Sequence, residues 1–415
     1  MKDQKRGVVL AGVVGNILEW YDFAIYGFFA PTFGALFFPS ENPTVSVIAA
    51  FGAFAAGFLM RPIGAFLIGR IGDRVGRKKA LSLSIMLMAF PTLMIGLLPT
   101  HAQIGVTATL LLVLLRLLQG LSVGGEFTSS IVYLTESAPE NHRGLYSSTS
   151  LVGAFGGILL GSFIGSVLTG LLTDSQMLIW GWRIPFILGI VVAFVGYLIR
   201  RHMPETISKD HKVGNTWKNL WRNKKSILLV SGLNLVSAVS FYAIFIFVVT
   251  WLVRYVHEAK STALQLNTYG LLVLLISAPF FGWVSDRLGR RRVMLVAVAG
   301  ILLFCYPLVW LMHHPSFTYI FFGQAGWAIL LGMYLGPLPA TLSELFPPRV
   351  RVTSVSVGYN LSYALFGGTT PMVAMWLIQK EEIDFAFVWY IAIAAFVSFF
   401  SVFMLDKFKK SPIMS

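Results

Sequence analysis

Five stretches of this 415-residue chain, 144–173, 226–253, 261–285, 352–379 and 385–405, contain no Asp, Glu, Lys or Arg. Each is longer than the roughly 18 apolar residues that mark a bilayer span. Composition agrees, because 56% hydrophobic residues, 12% charged residues and a mean hydropathy of +0.75 lie outside the range of soluble domains. The same reading extends to twelve spans, at 8–36, 45–69, 80–99, 105–134, 144–172, 183–200, 226–253, 262–284, 293–312, 317–344, 352–378 and 385–405. The connections on one side, at 39–44, 101–103, 257–261 and 313–316, are short, so neighbouring helices run antiparallel and no external domain is expected.

A formal charge of +14 would fit a nucleic-acid binder, but its placement argues against one. Most of the 32 Lys and Arg fall on the connections of the other side, which the positive-inside bias makes cytoplasmic. Arg183, Arg254, Lys260 and Lys380 lie outside, and Arg61 and Arg116 fall within spans. The opening MKDQKRG imitates a signal peptide. The apolar run behind it, however, continues to about Leu36 and contains Glu19 and Asp22, so it reads as a first helix with its N-terminus inside. Cys305 is the single cysteine, so no intrachain disulfide exists.

The chain repeats itself. GRIGDRVGRKK (69–79), a tight basic turn between two spans, returns about two hundred residues later as GWVSDRLGRRR (282–292), with Asp286 answering Asp73. Glu136, Pro139 and Arg143 return at nearly the same offset as Glu344, Pro347 and Arg351. Repeats of this length match the two six-helix halves of a transporter. The expected fold is an all-α integral membrane protein, with a first bundle at 1–200, a cytoplasmic linker at 201–225 and a second bundle at 226–415. In the linker Trp217 and Trp221 stand among Lys218, Arg222 and Lys224, which reads either as a short helix at the lipid surface or as a solvated connection. Gly153, Gly156, Gly157, Gly161 and Gly165 form a stripe expected to pack against another helix.

Ionisable groups inside a bilayer cost roughly 2.5 to 3.5 kcal/mol each, so each is a functional candidate. There are five: Glu19, Asp22, Arg61, Arg116 and Glu126. All lie in the first half, while the second offers neutral polar groups such as Asn234, Gln324, Tyr334, Asn360 and Tyr363. Asn16, Glu19, Asp22, Phe23 and Tyr26 share one face of the first helix. Asp22 and Arg116 reach similar depth and are the expected partners, while Arg61 and Glu126 lie deeper toward the cytoplasm, where Glu19 also reaches. A buried carboxylate changes protonation when its cationic partner moves, which is a means of proton coupling. Static ion pairs that fasten helices are the alternative. Asn16, Tyr26, Gln119, Asn234, Trp327, Tyr334, Asn360 and Tyr363 are the candidate cavity residues, and Tyr242 and Tyr359 are further aromatic walls. The hairpins have a mechanical reading, in which Gly69 and Gly76 allow the turn and Asp73 caps a helix of the other half. Gly69, Asp73, Arg74, Gly76, Arg77, Glu136 and Arg143 form one gating set, and Gly282, Asp286, Arg287, Gly289, Arg290, Glu344 and Arg351 its repeat.

These residues resemble the major facilitator superfamily over essentially the whole chain. GRIGDRVGRKK matches its loop 2/3 motif, and GWVSDRLGRRR is similar to the loop 8/9 copy. GNILEWYDFAIYG (15–27), FLMRPIG (58–64), RLLQGLSVGGE (116–126) and WGWRIPF (180–186) resemble the metabolite:proton symporters, which include carriers for proline and betaine, 2-oxoglutarate, shikimate and citrate. The resemblance implies proton-driven uptake through a bacterial inner membrane by alternating access, by a monomer with both termini in the cytoplasm. It places Asp22, Arg61 and Arg116 at the coupling or substrate site and gives Asp73 and Arg74 a role in stabilising the outward-facing state. Phe127, Thr128 and Ser129 depart from the aromatic-Gly-Gly that usually follows Glu126. The long C-terminal coiled-coil extension of some osmosensing proline/betaine carriers is not found.

Drug antiporters of the superfamily carry a Gly-Pro signature in helix 5, and 151–165 contains no proline. The Pro-Glu-Ser motif of sugar porters is only weakly resembled by Pro204, Glu205 and Thr206. Three acids against two bases within the bilayer lean the substrate toward a zwitterion such as proline or betaine, with a carboxylate (2-oxoglutarate, citrate or shikimate) as the alternative. A membrane receptor that binds without transport is the competing class. No nucleophile with its base, metal-ligand cluster or phosphate loop is present, so neither an enzyme nor a cofactor or metal is expected. The expected partners are a small-molecule substrate, protons and membrane lipid.

Overall fold

The computed structural model describes residues 16–17, 19–75, 77–122, 126–201, 220–348 and 350–408. The first six membrane helices are α1 (19–28, continued as Ala30–Phe37), α2 (Pro43–Leu59, continued as Arg61–Val75), α3 (Arg77–Leu97), α4 (Val106–Ser122, followed by Glu126–Ser137), α5 (Arg143–Leu171) and α6 (Ile184–Arg201). The last six are α7 (Lys224–Tyr255, with a π turn at Ala243–Phe247), α8 (Lys260–Leu288), α9 (Arg290–Met312), α10 (Phe317–Leu335, followed by Leu338–Glu344), α11 (Arg351–Glu381, with a π turn at Tyr363–Gly367) and α12 (Phe387–Phe403). Among the described residues eight helices are long and apolar enough to cross a membrane. Three shorter apolar helices, Leu83–Leu97, Gly181–Val191 and Phe387–Phe403, stand at three more expected spans, and α1 at the twelfth.

Local chemistry sets these ends. Asn42 Oδ1 accepts from Thr44 N at 2.9 Å and Pro43 opens α2, an N-cap followed by a residue with no amide hydrogen to leave unpaired. α8 stops at Gly289, whose φ of 91° admits the sharp reversal into α9.

The halves meet most extensively along α5 and α8. A Cβ on Gly282 would lie 2.8 Å from the Gly144 carbonyl oxygen, so this crossing requires glycine. The expected glycine stripe packs mainly on α1: a Cβ on Gly157 would come within 3.0 Å of Tyr21 N, and one on Gly161 within 3.3 Å of Ile25. Thr135 Oγ1 donates to Ser343 Oγ at 3.2 Å. These residues are 208 apart, the offset between Glu136 and Glu344, so the internal two-fold runs between two equivalent side chains.

The π turn of α7 frees backbone carbonyls for side chains. Gln324 Nε2 donates to Ile244 O and Asn267 Nδ2 to Phe245 O, both at 3.2 Å. Gln324 Nε2 also donates to Asn267 Oδ1 at 2.8 Å, and Asn267 and Thr268 both donate to Ser162 of α5. A buried polar network thereby ties α7, α8 and α10 to the first half.

Candidate functional site

Glu19 on α1 and Arg61 on α2 form a buried ion pair, with Arg61 Nη2 donating to Glu19 Oε1 at 3.0 Å. Aromatic rings surround it. The Arg61 guanidinium lies 5.3 Å from the Trp20 ring, 4.9 Å from Phe58 and 5.7 Å from Phe23. From these the rings run on through Phe127, Tyr359, Tyr363 and Tyr242 and back to Phe58, with centroid separations between 4.2 and 6.2 Å. Three of these seven rings, Tyr242, Tyr359 and Tyr363, come from the second half. The ring therefore closes across the interface of the two bundles. Within it Arg61 Nε and the Tyr242 hydroxyl have no hydrogen-bond partner.

Asp22 and Arg116, expected as direct partners, make no ion pair. Three hydrogen bonds link them instead: Arg116 Nη1 donates to Gln119 Oε1 at 2.7 Å, Gln119 Nε2 to Thr92 Oγ1 at 2.8 Å, and Thr92 Oγ1 to Asp22 Oδ2 at 2.5 Å. Thr92 of α3 stands between the two side chains. Asp22 Oδ1 faces Gly189 of α6, where a Cβ would lie 3.1 Å away, and has no hydrogen-bond partner. The Arg116 guanidinium lies 4.3 Å from the Tyr26 ring and 4.8 Å from Phe23, with Nε and Nη2 unpartnered. Arg116 is thus a fully buried cation held by one amide and three ring faces, those of Tyr26, Phe23 and Phe54.

None of the eight cavity candidates is more than 6% exposed. Tyr26 donates to Ala50 O, Tyr334 to Leu233 O, Asn234 to Val230 O and Asn360 to Ser356 O. Tyr363 stacks on Tyr359, and its hydroxyl lies 3.5 Å from Ser237 Oγ. Asn16 Oδ1, Asn234 Oδ1 and Trp327 Nε1 are buried without partners. Gln119, read as a cavity residue, is committed to Arg116 and Thr92. Thr92 was not singled out from sequence, and Trp20, Phe58 and Phe127 stood there only within or beside family-like motifs, with no role at the site. Thr92 did leave a signal, being the single polar side chain between Ile85 and Pro99.

At the hairpin end the second copy of the gating set is in contact with the first half. Asp286 accepts from Gly144 N at 2.7 Å and Leu145 N at 3.0 Å, capping α5 of the opposite bundle. That is the role expected of its repeat, Asp73. Arg290 bridges Asp286 and Glu344, and Arg351 Nη1 donates to Glu136 at 2.5 Å across the interface. Arg143 lies 4.0 Å from Glu140 and Arg287 stacks on Trp283, so these two act locally. The side chains expected to act at Asp73, Arg74, Arg77 and Glu126, the packing of Gly69, and all of Gly76, Trp217 and Lys218 lie outside the described residues. At the opposite end the halves are joined by weaker bonds, Lys260 Nζ to Thr32 Oγ1 at 3.2 Å and Arg254 Nη2 to Thr44 Oγ1 at 3.0 Å.

This two-fold helical architecture, with a charged centre closed at both ends, can be set beside known proteins. The family model described as Major Facilitator Superfamily matches residues 12–357 and 230–413. The chain belongs to that superfamily. Among curated relatives of this superfamily member, the alpha-ketoglutarate permease of Escherichia coli K12 is 38% identical over 411 residues, covering 98% of this chain and 95% of the permease. A putative proline/betaine transporter of Staphylococcus aureus MSSA476 is 35% identical over 413 residues, covering 97% and 88%. A glycine betaine/proline/ectoine/pipecolic acid transporter of Dickeya dadantii is 29% identical, covering 98% and 84%. In fold, this superfamily member is similar to a D-xylose-proton symporter (TM-score 0.75, 18% identity, 97% and 98% covered). It is also similar to an inward-facing bacterial homologue of the lysosomal transporter Spinster (TM-score 0.69, 18% identity, 99% and 100% covered). The chain is therefore a multi-pass bacterial membrane protein of a transporter superfamily, and not an enzyme.

Proposed function

We propose that this superfamily member is a proton-coupled symporter that imports a small organic carboxylate by alternating access. The observation that carries this reading is Arg116, a buried guanidinium with no ion pair and with Nε and Nη2 unpartnered. Adjacent N–H groups of this kind take a carboxylate in a two-point bond. Counting charges along the sequence gave every base an acid and leaned toward a zwitterion; the isolation of Arg116 moves the weight toward an anion such as the substrate named for the Escherichia coli permease. A zwitterion remains the second reading, favoured by the aromatic ring around Arg61 and Glu19, which suits a cationic end.

In this proposal residues 1–200 and 226–415 rock as two bodies about the centre, with 201–225 linking them in the cytoplasm. The hairpin end is cytoplasmic, as are both termini, in the inner membrane, and one chain suffices because it contains both halves. Asp22 takes the coupling proton, Arg116 and Arg61 meet the substrate, and the Asp286 cap closes the inner gate. The test is uptake of labelled 2-oxoglutarate, proline and betaine into proteoliposomes with an imposed inward proton gradient, in native protein, Asp22→Asn and Arg116→Gln. Accumulation of one probe that collapses with an uncoupler and is lost in both variants supports symport. Accumulation that survives Asp22→Asn removes Asp22 from coupling, and binding without accumulation would make the protein a receptor.

A further inference from the structure

Thr92 is the link through which the centre's charges are joined. Its hydroxyl has one hydrogen and two lone pairs. Gln119 Nε2 occupies one lone pair at 2.8 Å, and the hydrogen has two acceptors in reach, Asp22 Oδ2 at 2.5 Å and the Met88 carbonyl at 2.8 Å. With Asp22 ionised the hydrogen points to the carboxylate. The chain then runs in one direction from Arg116 through Gln119 and Thr92 to Asp22, and each bond polarises the next. With a proton on Asp22, its acid O–H donates to the Thr92 oxygen and the hydroxyl hydrogen turns to Met88. In both states the Thr92 hydrogen has an acceptor, no side chain moves, and no proton passes along the chain.

Few other groups face Asp22. On α1, the neighbouring Tyr21 is engaged with Pro185 O at 2.8 Å, and Glu19 is held by Arg61. On α4 the charged group within electrostatic reach is Arg116, and α6 presents the uncharged Gly189. Among the described residues the charge on Asp22 thus has one bonded route to a cation.

We propose that Thr92 and Gln119 are positioning residues that carry the charge state of Asp22 to Arg116, so that a proton on Asp22 loosens the guanidinium for the substrate carboxylate. The sign follows from the direction of the chain. An ionised Asp22 pulls on the Thr92 hydrogen, strengthens the pull of Thr92 on the Gln119 amide, and makes Gln119 Oε1 a better acceptor for Arg116. Protonation reverses the pull at Thr92 and weakens that hold. Proton and carboxylate thereby favour each other's binding, which is symport without a direct carboxylate–guanidinium contact. The proposal rests on the carboxylate-import reading for its consequence, while the linkage itself is testable without transport.

Two measurements test it. In proteoliposomes, Thr92→Val is expected to keep counterflow of the probe the native protein accumulates, 2-oxoglutarate or proline, within about two-fold, while gradient-driven accumulation falls about ten-fold. Thr92→Ser restores both. Equal loss of both activities in Thr92→Val, or undiminished accumulation, overturns the proposal. If Thr92→Val does not reach the membrane, Thr92→Ala removes the same hydroxyl with a smaller side chain and carries the same expectations. Independently, infrared difference spectra across an acid titration read the Asp22 carboxylic band, identified by its loss in Asp22→Asn. That band is expected to shift in Thr92→Val and not in Thr92→Ser. An unshifted band overturns the linkage whatever is transported. A shifted band in a protein that moves neither probe supports the linkage and overturns the carboxylate-import reading alone.

Discussion

Arg61 Nη2 and Glu19 Oε1 lie 3.0 Å apart with side chains 3% and 7% exposed, so this ion pair is formed out of water. Such a pair gains little over apolar side chains of the same size, but removal of one partner strands the other charge. Arg61→Gln or Glu19→Gln alone is expected to destabilise the protein by about 3–5 kcal/mol, and the double replacement to recover at least half of that. Apparent unfolding temperatures of the three variants in one detergent check this. Equal losses in the double and single variants would mean that the aromatic ring, and not the charge balance, decides stability.

Asp286 binds two amide hydrogens of the opposite bundle, and its replacement by Ala leaves both unpaired at the start of α5. The expected cost to the closed inner gate is about 2 kcal/mol, roughly a thirty-fold shift toward opening. Maleimide labelling of Thr135→Cys, buried at 2% exposure beside the internal two-fold, should rise accordingly in a Cys305→Ser background. Asp286→Asn, which keeps one acceptor, should fall between Ala and native.

Gly282→Ala should open the same gate by a different route. Its Cβ would lie 2.8 Å from the Gly144 carbonyl oxygen, a backbone atom that cannot turn aside. Labelling at Thr135→Cys is expected to rise at least as far as in Asp286→Ala. The two effects should fall short of adding, because they break one contact.

The opposite end is expected to yield more easily and to matter less singly. Thr32→Val and Thr44→Val each remove one part-buried hydrogen bond donated by the Lys260 or Arg254 side chain. Labelling of Ser46→Cys from the outer side should increase only a few-fold in either variant, with the Thr135→Cys signal unchanged or lower. A thirty-fold rise in either would show that this end holds most of the closure energy.

Arg116→Lys tests whether shape or charge matters at the centre. An ammonium cannot keep the Gln119 bond, lie flat on Tyr26 and present two adjacent N–H groups at once. KM for the accumulated probe is expected to rise about ten-fold with a smaller change in kcat, the mark of lost binding. An unaltered KM would remove Arg116 from the substrate site.

The spans were legible because apolar length is a one-dimensional property, and among the described residues the observed helices lie close to the expected positions. The Asp286 cap was legible for a related reason: an acid between glycines in a repeated basic turn has few other uses. The pairing of Asp22 with Arg116 was misread because depth follows from counting residues, whereas facing direction depends on how three helices pack. A single threonine in α3 decides that contact, and nothing periodic marks it. The aromatic ring was legible only in part. Tyr242, Tyr359 and Tyr363 stood out as candidate aromatic walls, while nothing beyond their place in or beside a motif marked Trp20, Phe58 and Phe127. No residue pattern announced either π turn.

Those two turns change how opening can happen. Each packs one residue more into its helix than the spanned distance needs, at Ala243–Phe247 in α7 and at Tyr363–Gly367 in α11. Tyr242 and Tyr363, which close the ring around Arg61, sit at the edge of these turns. Passing the surplus residue one step along a helix swings each side chain it crosses by about 100° while the helix ends stay in place. The second half thus holds slack, like a kink that travels along a rope, and the ring can part by local rewinding before either bundle has tilted.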